Sequence, residues 1–500
     1  MRPTISGGLC TGQHHGTCKS TLSSRSPETE ANLVGNLEIS EANRMKLNRC
    51  HSAKLMLLDL PLPIVINILS RLPSELVCCI RCMSKDLLNM VDDLSFVALH
   101  TRFLIATNAV AQVPRLMSFA ALFPSERGGV IADLRPVKFD DSALTTRGKY
   151  AINVSTPRRS DCPTYMVDFV FCNLICFRNI NNRGQGICFL IDLCRREVLR
   201  LPKNDFTKDA KSPLFCDWYG MGFDSITNTL KILHVAKFDA ADCMVAQVLV
   251  LGKSSWRQIS SAPLCYLSAI CNLFSPKNVC AYGDMHWLRG DAMVKESEAI
   301  ISFDFKKEEF CWTPHPKLRS STEYSRLYMH LHLLTLKGSL ALVDTSLSEG
   351  MTTNIEIWLM KDYEKKEWTR DYNISIEMFD LRNEFEMLTD VTCDEWEHGI
   401  FFKNFENTPA FFLDLRSALM NLVRCERGIR TKIFSYTRSF ISLKDYDILV
   451  EAEQGIERCK SYVNLIEEEA QGFSLCERHV LRGVSLIQEG TNDISHQASV

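Results

Sequence analysis

The sequence predicts a mainly β chain with a short α-helical module near its N-terminus. Three observations carry this. Apolar residues recur at helical spacing over residues 56–103, short strand-like runs recur at a near-constant interval from residue 165 onward, and the overall composition is that of a globular protein. Hydrophobic residues make up 46% of the 500 positions and charged residues 23%, an ordinary globular balance. A formal net charge of -3 gives no reason to expect nucleic acid or an anionic membrane as the main partner.

The segment ahead of the module, residues 1–50, is rich in Ser, Thr and Gly and has no acidic residue before Glu28. It is expected to be a disordered tail, with an acid-poor transit peptide as the alternative. Cys10, His14, His15 and Cys18 are metal-ligand types, but no second ligand pair stands at standard spacing. No metal or cofactor is expected. The 21 cysteines are scattered through apolar segments, as at Cys78, Cys79, Cys172, Cys176 and Cys188, where unbridged cysteine acts as a small hydrophobe. No signal peptide heads the chain, so a reducing compartment, nucleus or cytoplasm, is expected. No apolar run approaches the roughly 20 residues needed to span a bilayer.

Within residues 56–103, Ile64, Val65, Ile68, Leu69 and Leu72 form the apolar face of a first helix. Pro61 and Pro63 suit its start and Pro73 ends it. Ser74 stands at an N-cap position, with Glu75 in the following turn. Leu76, Ile80, Met83 and Leu87 then follow at steps of four, three and four. Asp92 or Asp93 can cap a third helix carrying Phe96, Val97 and Leu99. About fifty residues cannot bury that much apolar surface alone. The helices therefore pack either on the rest of the chain or on a second protein, and pattern alone leaves both open.

From Tyr165 to about residue 445 a repeat emerges. Strand-like runs end at Asp192, Leu251, Asp304, Met360 and Asp414, with steps of 59, 53, 56 and 54 residues. A charged turn and a second strand with an apolar anchor follow each: Val198 and Leu199, Trp256, Phe310, Trp368, Leu419. A further strand precedes each run, usually opened by glycine, as in YGMGF, YGDMHWL and HGIFF. A period near 55 with several strands per unit predicts a β-propeller of five or six blades. A pair of β-sandwiches is the alternative. Residues 104–164 are expected to be a connector. Residues 446–500 are expected to form an acidic, helix-prone tail, with Glu451–Glu469 as a solvated helix or a loose segment.

Three features could suggest other chemistry. Gly252-Lys253-Ser254 matches the end of a P-loop, but Gln247 stands where the first glycine belongs and strands flank it, so a hairpin turn is expected. Trp256, Trp287, Trp312, Trp358 and Trp368 sit mostly at repeating strand positions, which indicates blade core over a stacking platform. His286, His330 and His332 lack a third ligand at useful spacing. No catalytic residue is assigned. A propeller enzyme would need carboxylates, histidines or a metal converging in the central channel.

The helical string resembles the F-box, whose usual form runs LP, then I-L-s-R-L-P, a Leu, R-C-V-S-K-x-W and F-x-x-x-H. Leu60-Pro61, Ile68-Leu69-Ser70-Arg71-Leu72-Pro73, Leu76, Arg81-Cys82-Met83-Ser84-Lys85 and Phe96 to His100 supply it here, and the resemblance implies a three-helix F-box. The resemblance implies docking on a Skp-family adaptor of a cullin-RING ubiquitin ligase through Leu60, Pro61, Ile64, Ile68, Leu72, Pro73, Leu76, Cys82, Lys85 and Leu87. The family's Trp is absent and Leu87 occupies its place, so weaker docking is expected. The repeat in turn resembles the F-box-associated domain of plant F-box proteins, through Tyr219-Gly220-Met221-Gly222-Phe223-Asp224, Ser255-Trp256-Arg257, Gly283 to Leu288, Phe303-Asp304, and Ile357-Trp358-Leu359-Met360-Lys361-Asp362-Tyr363. That family uses the domain to bind the protein to be ubiquitinated. The implied role is a non-catalytic receptor.

Overall fold

The computed structural model describes residues 60–106, 112–121 and 129–140, most strands and turns between 143 and 446, and Val463–Glu468. The expected N-terminal tail and the Cys10 to Cys18 string lie outside the described residues. The chain forms two units, residues 1–65 and 66–500.

In the first unit the described residues open helix α1 (Leu62–Ser70). The amides of Ile64 and Val65 bond the Pro61 carbonyl at 2.8 and 3.2 Å. Proline there costs the helix nothing, because the first N–H groups have no intrahelical acceptor. Leu60, Leu62 and Ile64 are exposed, while Val65 is buried.

The second unit holds the rest of α1, then α2 (Ser74–Arg81), α3 (Lys85–Val91) and α4 (Leu94–Ala106). The module thus has four helices where three were expected. The run from Leu76 to Leu87 breaks because Ser84 is extended and caps α3, its hydroxyl accepting from Leu87 N at 3.2 Å. Asp93 opens α4: its carboxylate accepts Ser95 N at 2.9 Å. Ser74 does not cap α2. It is the first helical residue, and its side chain is engaged elsewhere.

Six sheets follow, the architecture of a six-bladed propeller. The chain first lays down β1 (Arg115–Ala121), β2 (Gly129–Asp140), β3 (Ala143–Thr146) and β4 (Lys149–Ser155). Blade one is β5 (Tyr165–Phe171), β6 (Leu174–Asn179), β7 (Cys188–Asp192) and β8 (Glu197–Arg200). Blade two is β9 (Leu214–Asp224), β10 (Thr229–Phe238), β11 (Met244–Val250) and β12 (Arg257–Ile259). Blade three is β13 (Asn278–Ala281), β14 (Asp284–Leu288), β15 (Ile300–Asp304) and β16 (Glu309–Thr313). Blade four is β17 (Leu331–Leu336), β18 (Ser339–Asp344), β19 (Thr352–Asp362) and β20 (Glu367–Glu377). Blade five is β21 (Val391–Trp396), β22 (Gly399–Asn404), β23 (Ala410–Asp414) and β24 (Leu419–Val423). The sixth blade joins both ends of the domain. Its β25 (Thr431–Tyr436) pairs with β1, Arg115 opposite Tyr436, and β26 (Val463–Glu468) adds outside β4.

Two expectations are corrected here. The connector 104–164 supplies four strands of the closing blade from Arg115 onward. It carries no repeat signature because the innermost strand of its blade comes from the opposite end of the domain. Val463–Glu468, expected in a helix-prone or loose tail, is a strand, its backbone bonded to β4 in place of closing helical turns.

The repeat reflects one turn chemistry. Asp192, Asp224, Asp304 and Asp414 each end a strand, and one carboxylate oxygen of each accepts the amide two residues on at 2.8 Å. Such Asx turns close a hairpin locally. Asn228, Glu308 and Ala418 complete three of these hairpins at positive φ. In blade two the signature is out of phase: YGMGF is the first strand, not the second. Gly222 on that strand permits close approach of blade three, since a Cβ there would lie 2.1 Å from the Phe305 ring. The core runs between adjacent sheets, for example Ile355, Ile357 and Leu359 of blade four against Ile400, Phe402 and Phe411 of blade five.

Candidate functional site

The first candidate surface is the helical module. In the first unit Leu60, Pro61 and Ile64 are exposed. In the second unit Ile68 is 39% exposed, Leu76 52%, Leu88 36% and Leu94 52%. Cys82 and Lys85 are also exposed, and Leu72 and Pro73 are half-buried. Leu87 departs from the expected contact set. It is 2% exposed, because α3 turns it into the module's own interior together with Val91. The opposite helix faces are sealed within the chain through Leu69, Val77, Phe96 and Val97. Leu76 and Val77 are neighbours in sequence, yet one faces solvent and the other is fully buried. The module therefore has two apolar faces, of which the propeller covers one.

The covered face is fastened by polar and aromatic contacts. Ser74 Oγ donates to the Arg438 carbonyl at 2.9 Å, and the Gln112 amide lies 2.7 Å from the same hydroxyl. His100 Nε2 bonds the Leu72 carbonyl at 3.0 Å. Its ring meets Phe440 edge-on at 5.0 Å and stacks on Phe96 at 5.9 Å. Burial pushes the imidazole down to about 4, so it is neutral near pH 7, and the carbonyl acceptor fixes the proton on Nε2.

Residues 437–446, after the last inner strand, form a strap between helices and blade one. Arg195 donates to the Phe440 carbonyl at 3.1 Å. Glu197 Oε2 accepts from Ser442 Oγ at 2.9 Å and Leu443 N at 2.7 Å. Ser439 bonds Asn173, which in turn donates to Asp192 at 2.6 Å. Burial pushes the Asp192 carboxyl up to about 7 against the pull of Arg195. Sequence reasoning missed this strap. Its only signal is the run of short polar residues around Phe440, which reads as ordinary loop.

The second candidate is the central channel, about 700 Å³, lined mainly by β5, β13, β17, β21 and β25. Its polar side chains tie neighbouring strands together. Asp168 accepts Tyr219 N at 3.2 Å, Thr335 donates to the Cys280 carbonyl at 2.9 Å, and Glu395 accepts Lys337 N at 2.8 Å. Asp394 accepts Ser435 N at 2.7 Å, and Lys432 donates to the Val167 carbonyl at 3.4 Å. Arg178 bridges Asp168 at 3.1 Å and Asp217 at 2.5 Å. Burial pushes the Lys432 amine down to about 8, with Asp168 and Asp394 opposing. Asp168, Asp394 and Glu395 thus hold backbone amides or an arginine, ties that join neighbouring blades.

The remaining sequence signals resolve as turns and packing, with one correction: of the five tryptophans expected in the blade core only Trp287 is buried, while Trp256, Trp312, Trp358 and Trp368 are half-buried. Lys253 N bonds the Val250 carbonyl at 2.9 Å in the turn between β11 and β12, so Gly252-Lys253-Ser254 is a hairpin. His286 is buried, bonded to Ser302 and the Ala281 carbonyl. Trp256 and Trp368 donate their indole N–H to the Pro202 and Pro314 carbonyls at 2.9 and 2.8 Å. Among the described residues no group of three or more metal-ligating side chains converges, and no helix is long and apolar enough to cross a membrane.

Comparison with known proteins agrees with this architecture. The F-box associated beta propeller domain family matches residues 144–446. F-box protein CPR1 of Arabidopsis thaliana is 23% identical over 336 residues, covering 63% of this chain and 73% of that protein. A putative F-box protein of the same plant is 25% identical over 334 residues, covering 62% and 72%. Among solved structures, an oligogalacturonate lyase in complex with manganese aligns at 10% identity and a TM-score of 0.31, over 62% of this chain and 78% of that one. At that similarity neither substrate nor chemistry transfers. The family match spans more than half of the chain, from within β3 to the end of the strap, and the chain belongs to the F-box-associated β-propeller family.

Proposed function

We propose that the chain is the substrate-recognition subunit of an SCF-type cullin-RING ubiquitin ligase. The helical module docks on a Skp-family adaptor, and the propeller binds the protein to be ubiquitinated. The subunit does no bond chemistry. It raises the effective concentration of the target at the ligase. Nucleus or cytoplasm is the compartment this role requires.

One observation carries the reading. Ile68, Leu76, Leu88 and Leu94 remain exposed on helices whose opposite faces are already buried. Each large aliphatic side chain left in water forgoes roughly 1.5–3 kcal/mol of burial, and a row of them supports a protein partner. The F-box resemblance names the adaptor class, and relatives that bear F-box names support it.

A weaker-docking variant of this role has its own support. The position of the family's Trp is held by Leu87, which is buried and offers the adaptor no aromatic anchor. Co-purification with a Skp-family adaptor separates the two. Capture abolished by Leu76→Asp supports the ligase role; no capture by the intact chain leaves a free interaction module.

A further inference from the structure

Several lysine amines of the propeller are held by charged or aromatic neighbours. Lys231 reaches Asp224 at 2.9 Å and Glu308 at 2.8 Å, Lys361 reaches Asp371 at 2.6 Å, and Lys366 lies 3.3 Å over the Tyr363 ring. Lys432 of β25 is different. It lines the central channel, and among the described residues its hydrogen bond is to the Val167 carbonyl at 3.4 Å, longer than the usual N–H···O range of about 2.7–3.2 Å. The two carboxylates that face it are engaged elsewhere. Asp168 of β5 holds Arg178 at 3.1 Å and the Tyr219 amide at 3.2 Å. Asp394 of β21 holds the amides of Glu395 at 2.8 Å and Ser435 at 2.7 Å. The channel, about 700 Å³ with Leu104, Ile105, Val113 and Pro114 as apolar wall, has the size of a small-molecule pocket. A lysine amine on such a wall, held by one long bond to an uncharged carbonyl, is placed to act as a nucleophile once it loses its proton.

We infer that Lys432 is a modification site for small uncharged aldehydes, which enter the channel and form an imine with its amine. Asp168 and Asp394 oppose an anionic ligand at this place and leave a neutral carbonyl compound unopposed. The lone pair of the neutral Nζ attacks the carbonyl carbon, the C=O π bond opens, and the oxygen takes up the proton that the nitrogen loses. The carbinolamine then loses its oxygen as water while C=N forms. In sum one amine and one aldehyde give one imine and one water, and hydrolysis reverses it. Burial, with Asp168 and Asp394 opposing, holds the amine at about 8. About one amine in ten is then neutral at pH 7, against roughly one in 2,500 for an ordinary lysine near 10.4.

The site stands apart from the adaptor-receptor reading, since Lys432 belongs to the innermost strand of the closing blade and not to the helical module. Its position in a cavity adds a selectivity that an exposed lysine lacks: small aldehydes reach it and polymeric ones do not.

The test treats the intact full-length chain with acetaldehyde and sodium cyanoborohydride, which reduces each imine to a stable ethylamine, and follows the lysines by tryptic digestion and mass spectrometry. Ethylation of Lys432 hinders cleavage there and yields the peptide Thr431–Arg438. The comparison is Lys365, whose side chain is 68% exposed. The expected result at pH 7 is ethylation of Lys432 faster than that of Lys365 by about tenfold or more, less than the gain in neutral amine because a less basic nitrogen is also a weaker nucleophile. Between pH 6 and 10 the Lys432 rate should level off above about pH 8 while the Lys365 rate still climbs. With an aldehyde-bearing dextran, too large for the channel, the order should reverse. Ethylation of Lys432 no faster than Lys365, or equal labelling of both by the dextran, overturns the site.

Discussion

Ser74 Oγ donates a hydrogen bond to the carbonyl oxygen of Arg438 at 2.9 Å across 364 residues of sequence. The first residue of α2 is thereby held to the strap that follows the last propeller strand. Removing the hydroxyl leaves a carbonyl in a site where Ser74 itself is 1% exposed. Ser74→Ala is expected to cost about 1 kcal/mol, the net worth of one hydrogen bond, because the Gln112 amide nitrogen can reach the Arg438 carbonyl at 2.8 Å and keep it supplied with a donor. Chemical denaturation should show a lower midpoint at unchanged slope. Adaptor affinity should stay the same, because the contact lies on the covered face.

Trp256 and Trp368 make the same bond in two places, each to a proline carbonyl 54 residues earlier. Each links the outer edge of one blade to the blade before it. Trp256→Phe and Trp368→Phe keep much of the ring and remove the donor, so each should cost about 1 kcal/mol. With no shared partner the losses should add to within a few tenths of a kcal/mol. Thermal melts of the single and double variants check this.

His100 gives the contact between the helices and the strap a pH dependence of known sign. Its folded value of about 4 lies below the ordinary 6.5, so the unfolded chain binds more protons between those two values. Stability contributed by neutral His100 is full above about pH 6.5 and falls as pH drops toward 4. The buried carboxyls oppose this trend: Asp192 at about 7 and Asp284 at about 6 are raised, and their penalty grows as pH rises. The comparison must therefore be made against His100→Gln. The stability difference between intact chain and variant should shrink from pH 7 to pH 4, read by denaturation at each pH.

Much of this was legible in the sequence for identifiable reasons. Asx-turn aspartates such as Asp304 and Asp414 mark hairpins locally, so the blades announced themselves at a near-constant period. Exposed Ile68 and Leu76 were readable because helical spacing separates them from Leu69 and Val77. The closing blade was not readable, since Arg115 meets Tyr436 only in three dimensions. Ser74 read as a cap for the same reason: its acceptor lies near the other end of the domain. Leu87 read as an anchor because its motif position was known, while its burial depends on the break at Ser84.

The most direct measurement is the affinity of the purified chain for a Skp-family adaptor, with Ile68→Asp and Leu76→Asp beside the intact protein. Both positions are exposed, so both variants should melt as the intact chain does. The intact chain should bind, and each aspartate should weaken binding by tenfold or more, the scale of a buried charge in an apolar contact. Equal binding by all three, or none by the intact chain, would contradict the adaptor-receptor role.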